Sequence, residues 1–151
     1  MNILKKIRLF TYIGVCISYS TLIIVMVLSV TFRYVPFLPS LFWPQEVARY
    51  MFICMCFLAS SIAINRNAHI GFDILYGFLP ERIIKLLRMS TRFIIILFLL
   101  VLTVNGFKMC IINYRQISFS LRISMFIPYL SIPVGSILMI IEELYLLVLG
   151  E

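Results

Sequence analysis

The sequence predicts an all-α membrane protein: four transmembrane helices, with a short interfacial amphipathic helix between the second and the third. Three observations carry this. Hydrophobic residues make up 63% of the 151-residue chain and its mean hydropathy is +1.10, far above a soluble domain, which is about half apolar. A transmembrane helix needs about 20 mostly apolar residues, and the chain offers four such stretches, over residues 9–33, 45–65, 82–114 and 125–149. Proline and charge concentrate between them. Together they make one transmembrane domain over residues 1–151, with no room for a separate soluble one.

The net charge of +7 does not imply nucleic acid. Its cations lie between apolar runs instead of forming a soluble face with interleaved aromatics, so lipid headgroups are the expected partner. The apolar run over residues 9–32 is too long for a signal-peptide core and lacks a small-residue cleavage site after it; it reads as a retained helix. Cys16, Cys54, Cys56 and Cys110 form no C-x-x-C pair and fall in apolar runs, where cysteine packs as a small hydrophobe. Cys54 and Cys56 would point to nearly opposite sides of a helix.

Lys5, Lys6 and Arg8 precede the first helix and place that end in the cytoplasm. Pro36, Pro39 and Pro44 break the next connection, where Trp43 suits the headgroup level as an aromatic anchor. Pro44 fits the first turn of the second helix. Glu46 in that turn complements the helix dipole, and Arg49 at i+3 shares its face and is expected to pair with it. This pair reads either as an ordinary helix-start arrangement or as a contact to a second protein. Ala59, Ser60, Ser61 and Ala63 form a small-residue patch that suits close helix approach.

Beyond Arg66, the segment over residues 70–79 has an apolar side and a polar side, as a helix lying in the interface plane would; a plain loop is the alternative. His69 and Asp73 are four apart and could hydrogen-bond there. A single histidine cannot supply a multi-histidine metal site or a bis-histidine haem. Arg82, Lys85, Arg88 and Arg92 then make a basic stripe for anionic headgroups, and Lys108 can snorkel to the opposite interface. Arg115 and Arg122 occupy the second outer connection, as solvated charge or as contacts to an acidic partner. Pro128 fits the first turn of the fourth helix, whereas Pro133 with Gly135 should bend it or leave a carbonyl unpaired. Glu142 and Glu143 oppose the dipole near a helix C-terminus. Either the helix ends near Ile141, or at least one of them pairs with the basic stripe or another subunit. Eight cations fall inside by this topology and five outside, Arg33, Arg49, Lys108, Arg115 and Arg122, which puts both termini in the cytoplasm.

The sequence holds no phosphate-binding glycine loop, paired catalytic carboxylates, Ser-His-Asp set or zinc spacing. No apolar span carries a lone acid near its centre, the usual mark of an ion-coupled site, and no inverted repeat is evident. An enzyme and a self-contained pump are both disfavoured.

The residues 43–49, WPQEVAR, the core HIGFD at 69–73, and Ile127-Pro128 followed by Ile132-Pro133-Val134-Gly135 resemble the small membrane, or Q-type, subunit of tripartite ATP-independent periplasmic (TRAP) transporters. Two features depart from that pattern: Gln45-Glu46 stands where an acidic pair is common, and Ala59 or Ser60 where a glycine is. The resemblance implies a scaffold subunit in the bacterial inner membrane. It would brace a large multi-helix subunit that carries sodium and an organic acid anion, such as sialic acid or a dicarboxylate, and help to dock a periplasmic substrate-binding protein. It also implies no cofactor in this chain, and sodium only in the large partner. Trp43, Glu46, Arg49, His69, Asp73, Pro128, Pro133 and Gly135 become structural or subunit-interface candidates, and Arg115 and Arg122 docking candidates. A redox membrane subunit, as a quinone-linked thiol or haem anchor, and a small homo-oligomeric exporter are the other readings.

Overall fold

The structure is a computed structural model and describes residues 2–34, 42–65 and 81–149. Four helices occupy them: α1 (Asn2–Tyr34), α2 (Trp43–Asn65), α3 (Glu81–Ile112) and α4 (Phe126–Leu149). Each contains a stretch long and apolar enough to cross a membrane. The expected interfacial helix over 70–79, with His69 and Asp73, lies outside the described residues.

α1 begins at Asn2 rather than at residue 9, because Lys5, Lys6 and Arg8 are good helix formers whose long stems let the charge reach water while the backbone continues. With 33 and 32 residues, α1 and α3 extend about 50 Å at 1.5 Å per residue. Both exceed a hydrocarbon core of about 30 Å, so they tilt or project beyond it. α4 runs to Leu149 and does not stop near Ile141.

The helices pack in a row, α1 against α2, α2 against α4, and α4 against α3. The apolar core, Ile64, Leu99, Met139 and Leu146 with Phe57, Ile95, Leu102 and Ile140 around it, joins α2, α3 and α4. α1 contributes nothing to that cluster. Its buried residues are Thr11, Ser18 and Val25, spaced by seven, the repeat of left-handed helix packing. Apolar side chains such as Phe10, Ile24, Phe93 and Phe98 are exposed, as lipid-facing or partner-facing surfaces require.

Close approach along the row depends on glycine. A Cβ on Gly135 would stand 2.6 Å from the Phe57 Cβ and 3.2 Å from the Phe57 carbonyl carbon, and one on Gly106 would stand 3.0 Å from the Pro133 Cδ. Pro133 is therefore where α4 meets α3, and Gly135 is where it meets α2. α4 continues through Pro133, whose missing N–H leaves the Tyr129 carbonyl without its usual donor. Nearby hydroxyls bond back to the helix: Ser136 Oγ donates to the Ile132 carbonyl at 2.7 Å and Ser131 Oγ to that of Pro128 at 2.6 Å.

Gly135→Ala should destabilise the protein in detergent by about 1–3 kcal/mol through overpacking. Phe57→Ala should not relieve it, since the clash is with the Cβ and backbone that alanine retains. A thermal-unfolding series on the single and double variants checks this, and an unchanged midpoint for Gly135→Ala would show that the helices separate freely.

Candidate functional site

The polar chemistry lies at the two ends of α2. Glu46 and Asn65 are 19 positions apart on that helix, roughly 28 Å along its axis, close to the thickness of the hydrocarbon core.

At the first end, α3 gives way to a tight hairpin. Ser118 N–H donates to the Ile123 carbonyl at 2.8 Å and Met125 N–H to that of Gln116 at 2.9 Å, around an antiparallel bridge between Ile117 and Ser124. Arg122 closes the turn at φ 53°, a left-handed conformation uncommon outside glycine, asparagine and aspartate. Ser124 starts α4, its Oγ accepting the Phe126 N–H at 3.3 Å while donating to the Tyr114 carbonyl at 2.7 Å, which is N-cap behaviour.

Glu46 reaches into this hairpin. Its Oε2 accepts the Ser118 hydroxyl and the N–H groups of Ser120 and Leu121, both at 3.2 Å. A turn presents N–H groups that its own ladder cannot satisfy, and one carboxylate meets them here. The expected Glu46–Arg49 pair is thus not formed: Glu46 is committed to the turn, and Arg49 is exposed and in no ion pair with another described residue. Trp43 is exposed at the helix start and Pro44 is fully buried beneath it. The Tyr50 hydroxyl donates weakly to the Met125 sulfur at 3.4 Å.

At the opposite end Glu142 is the centre. Arg8 approaches it as a fork, Nε to Oε1 at 2.9 Å and Nη2 to Oε2 at 2.7 Å, and Asn65 Nδ2 donates to Oε2 at 3.1 Å. The Arg8 guanidinium also lies 5.1 Å from the centre of the Tyr145 ring, within range of a cation–π contact. One carboxylate on α4 thereby gathers α1 and α2. A crevice of about 240 Å³ opens beside it, with Thr11, Tyr12 and Ser61 in its wall. Among the described residues, Glu142 finds its cation on α1. Of the α3 stripe, Arg82, Lys85 and Arg88 have side chains outside the description. Arg92 is half-buried with Nη1 enclosed and without a hydrogen-bond partner among the described residues. Glu143 is buried at 1% exposure.

Arg115 and Arg122 stand exposed on the hairpin, and Pro128 and Gly135 are buried in α4. Of the small-residue patch only Ser61 is buried; Ser60 and Ala63 are exposed. The four thiols are free, and Cys16 and Cys56 are exposed, so these two do not pack within this chain as expected. No group of three His, Cys, Asp or Glu side chains converges among the described residues. The sequence marks Arg8 only as an orienting cation and does not single out Asn65 or Ser118. The signal was Glu142 itself, an acid against the helix dipole that needs a donor.

A row of four spanning helices tied at both ends by its own carboxylates has relatives. The sequence model described as the DctQ component of tripartite ATP-independent periplasmic transporters matches residues 22–150. The chain belongs to this family. It is 30% identical over 106 residues to the sialic acid TRAP transporter small permease protein SiaQ of Vibrio cholerae serotype O1, covering 70% of this chain and 61% of that protein. It is 34% identical over 107 residues to the isethionate TRAP transporter permease protein DctMQ of Oleidesulfovibrio alaskensis, covering 68% of this chain and 16% of that one. The matched stretch thus spans less than two thirds of either relative. As a DctQ-type TRAP component the chain is a multi-pass inner-membrane transport subunit and not an enzyme.

Two tests bear on the ties. Arg8→Met or Glu142→Met alone should cost roughly 2–5 kcal/mol, at the lower end because the Arg8 side chain keeps 30% exposure, since each strands a partner charge. The double variant should recover most of that loss; strictly additive losses would show that the fork is not a coupled pair. For the hairpin, Glu46→Ala should speed amide hydrogen exchange at Ser120 and Leu121 while leaving the α4 core protected, and unchanged exchange would mean that the turn holds without the carboxylate.

Proposed function

We propose that this chain is the small scaffold subunit of a sodium-driven TRAP-type secondary transporter for organic acid anions. It braces a large membrane subunit and helps to dock a periplasmic substrate-binding protein. The observation that carries the reading is the pair of ties. Glu46 and Glu142, the carboxylates with described hydrogen-bond partners, each close the chain on itself at one end of α2. Internal closure of this kind stiffens a row of helices and suits a brace. The broad apolar faces of α1 and α3 are left for lipid and for a larger partner. The DctMQ relative supports that partner, because the matched stretch there is a small part of a much longer permease chain. In this reading the hairpin end faces the periplasm, both termini face the cytoplasm with Lys5 and Lys6, and sodium is bound in the large subunit. The substrate class follows the names of the relatives, one for sialic acid and one for isethionate.

Reconstitution of the large subunit in proteoliposomes under an inward sodium gradient, with and without this chain, tests the assignment. Uptake should need this chain, the substrate-binding protein and the sodium gradient together; full uptake by the large subunit alone would remove the scaffold role. Arg122→Gly separates charge from geometry, because glycine keeps the left-handed turn while the cation is lost. If Arg122 docks the binding protein, this variant should need more of it for half-maximal uptake.

A further inference from the structure

The hairpin carries one side chain that the fold does not use. Phe119 is 94% exposed at the turn, and Ile117 beside it is 66% exposed. The turn beneath is fixed by the Glu46 carboxylate, two cross-strand backbone bonds and a second bond from the Leu121 N–H to Ser118 Oγ at 3.3 Å. Around it this end of the row carries five exposed cations, Arg33, Arg49, Lys108, Arg115 and Arg122, none in an ion pair with another described residue. Glu46, the carboxylate of α2 at this end, is already taken up by the turn.

We propose that Phe119 is a preformed aromatic anchor, held out by the Glu46-locked hairpin, that enters an apolar recess rimmed by carboxylates on the periplasmic substrate-binding protein. This rests on the docking role proposed above and names the residue that gives it grip. Two arguments favour a protein over a lipid surface as the occupant. A fluid interface accepts an aromatic ring in any conformation and gains nothing from a fixed turn, whereas a complementary protein surface gains affinity when the anchor is ordered beforehand. The left-handed backbone at Arg122 is tolerable only in a turn held in one shape. An aromatic centre flanked by arginines is also the composition of interface hot spots, and these exposed cations complement an acidic face and speed its approach. Arg115 and Arg122 then steer and orient, while Phe119 slows release.

The test uses the full complex of this chain and its large subunit in proteoliposomes under an inward sodium gradient, supplied with the substrate-binding protein. Phe119→Ala should raise the binding-protein concentration for half-maximal uptake on the order of tenfold, with the maximal rate at saturation retained, and Phe119→Trp should restore it. A photoreactive benzoyl-phenylalanine at position 119 should cross-link to the binding protein in the working complex. An unchanged half-maximal concentration for Phe119→Ala, in a system that still needs both this chain and the binding protein, overturns the anchor and leaves the docking role standing. Cross-linking to lipid alone overturns it in favour of a membrane contact. Uptake that needs neither this chain nor the binding protein overturns the underlying assignment instead.

Discussion

A buried carboxylate decides how these helices can be arranged. Glu142 lies on α4 beside Glu143 within a largely apolar span, with its side chain 5% exposed, where an unmet charge is strongly unfavourable. No residue of the adjoining α4 turns can neutralise it. The fork from Arg8 and the amide of Asn65 do so, which requires the start of α1 and the end of α2 to converge on the same point. Helices in lipid lack the hydrophobic drive that gathers them in water. A polar group that can be satisfied in one arrangement only therefore fixes their order, and α1, which has no share in the apolar core, depends on it most.

Between the ties, the row is held by shape. Gly135 lets the α4 backbone meet that of α2 at Phe57, and Gly106 admits the Pro133 ring from the other side. α4 is thus flanked by α2 and α3 at nearly the same level, and its proline is a contact surface as much as an interruption. Glu46 then fixes the far end by serving as the missing acceptor for a turn that joins α3 to α4. Packing sets the distance between helices, and the two carboxylates set their register. A body constrained in both respects resists deformation, which is what the proposed bracing role requires.

The helices were legible in the sequence because hydrocarbon demands one long apolar run per crossing, and the largest boundary shift, at the start of α1, comes where flexible cationic stems let the backbone continue. Pro133 and Gly135 were legible as a special place, since both break the local rule for a helix interior. The pairings were not. Glu46 and Arg49 satisfy the i+3 rule, yet spacing along one helix says nothing of the Ser118 turn that competes for the same oxygen and wins with three donors. Arg8 and Glu142 are 134 positions apart, and each looked like an ordinary charge near a helix end. Only the conflict of Glu142 with the helix dipole pointed to a distant partner, without naming it.

Internal satisfaction also determines where this chain can recognise others. At the Arg8 end Arg8 and Asn65 are consumed by Glu142, while Lys5 and Lys6 stay exposed. Along the flanks the exposed surface is aliphatic and aromatic, which gives shape complementarity but little power to reject a wrong partner in lipid. At the hairpin end the balance is reversed: the Glu46 carboxylate is spent on holding the turn, and its Arg49 neighbour is released because of it. A single acid thereby performs two tasks, ordering the loop and leaving the surrounding cations without an ion pair among the described residues. The docking surface proposed for this chain therefore lies where Glu46 has removed itself from the charge balance.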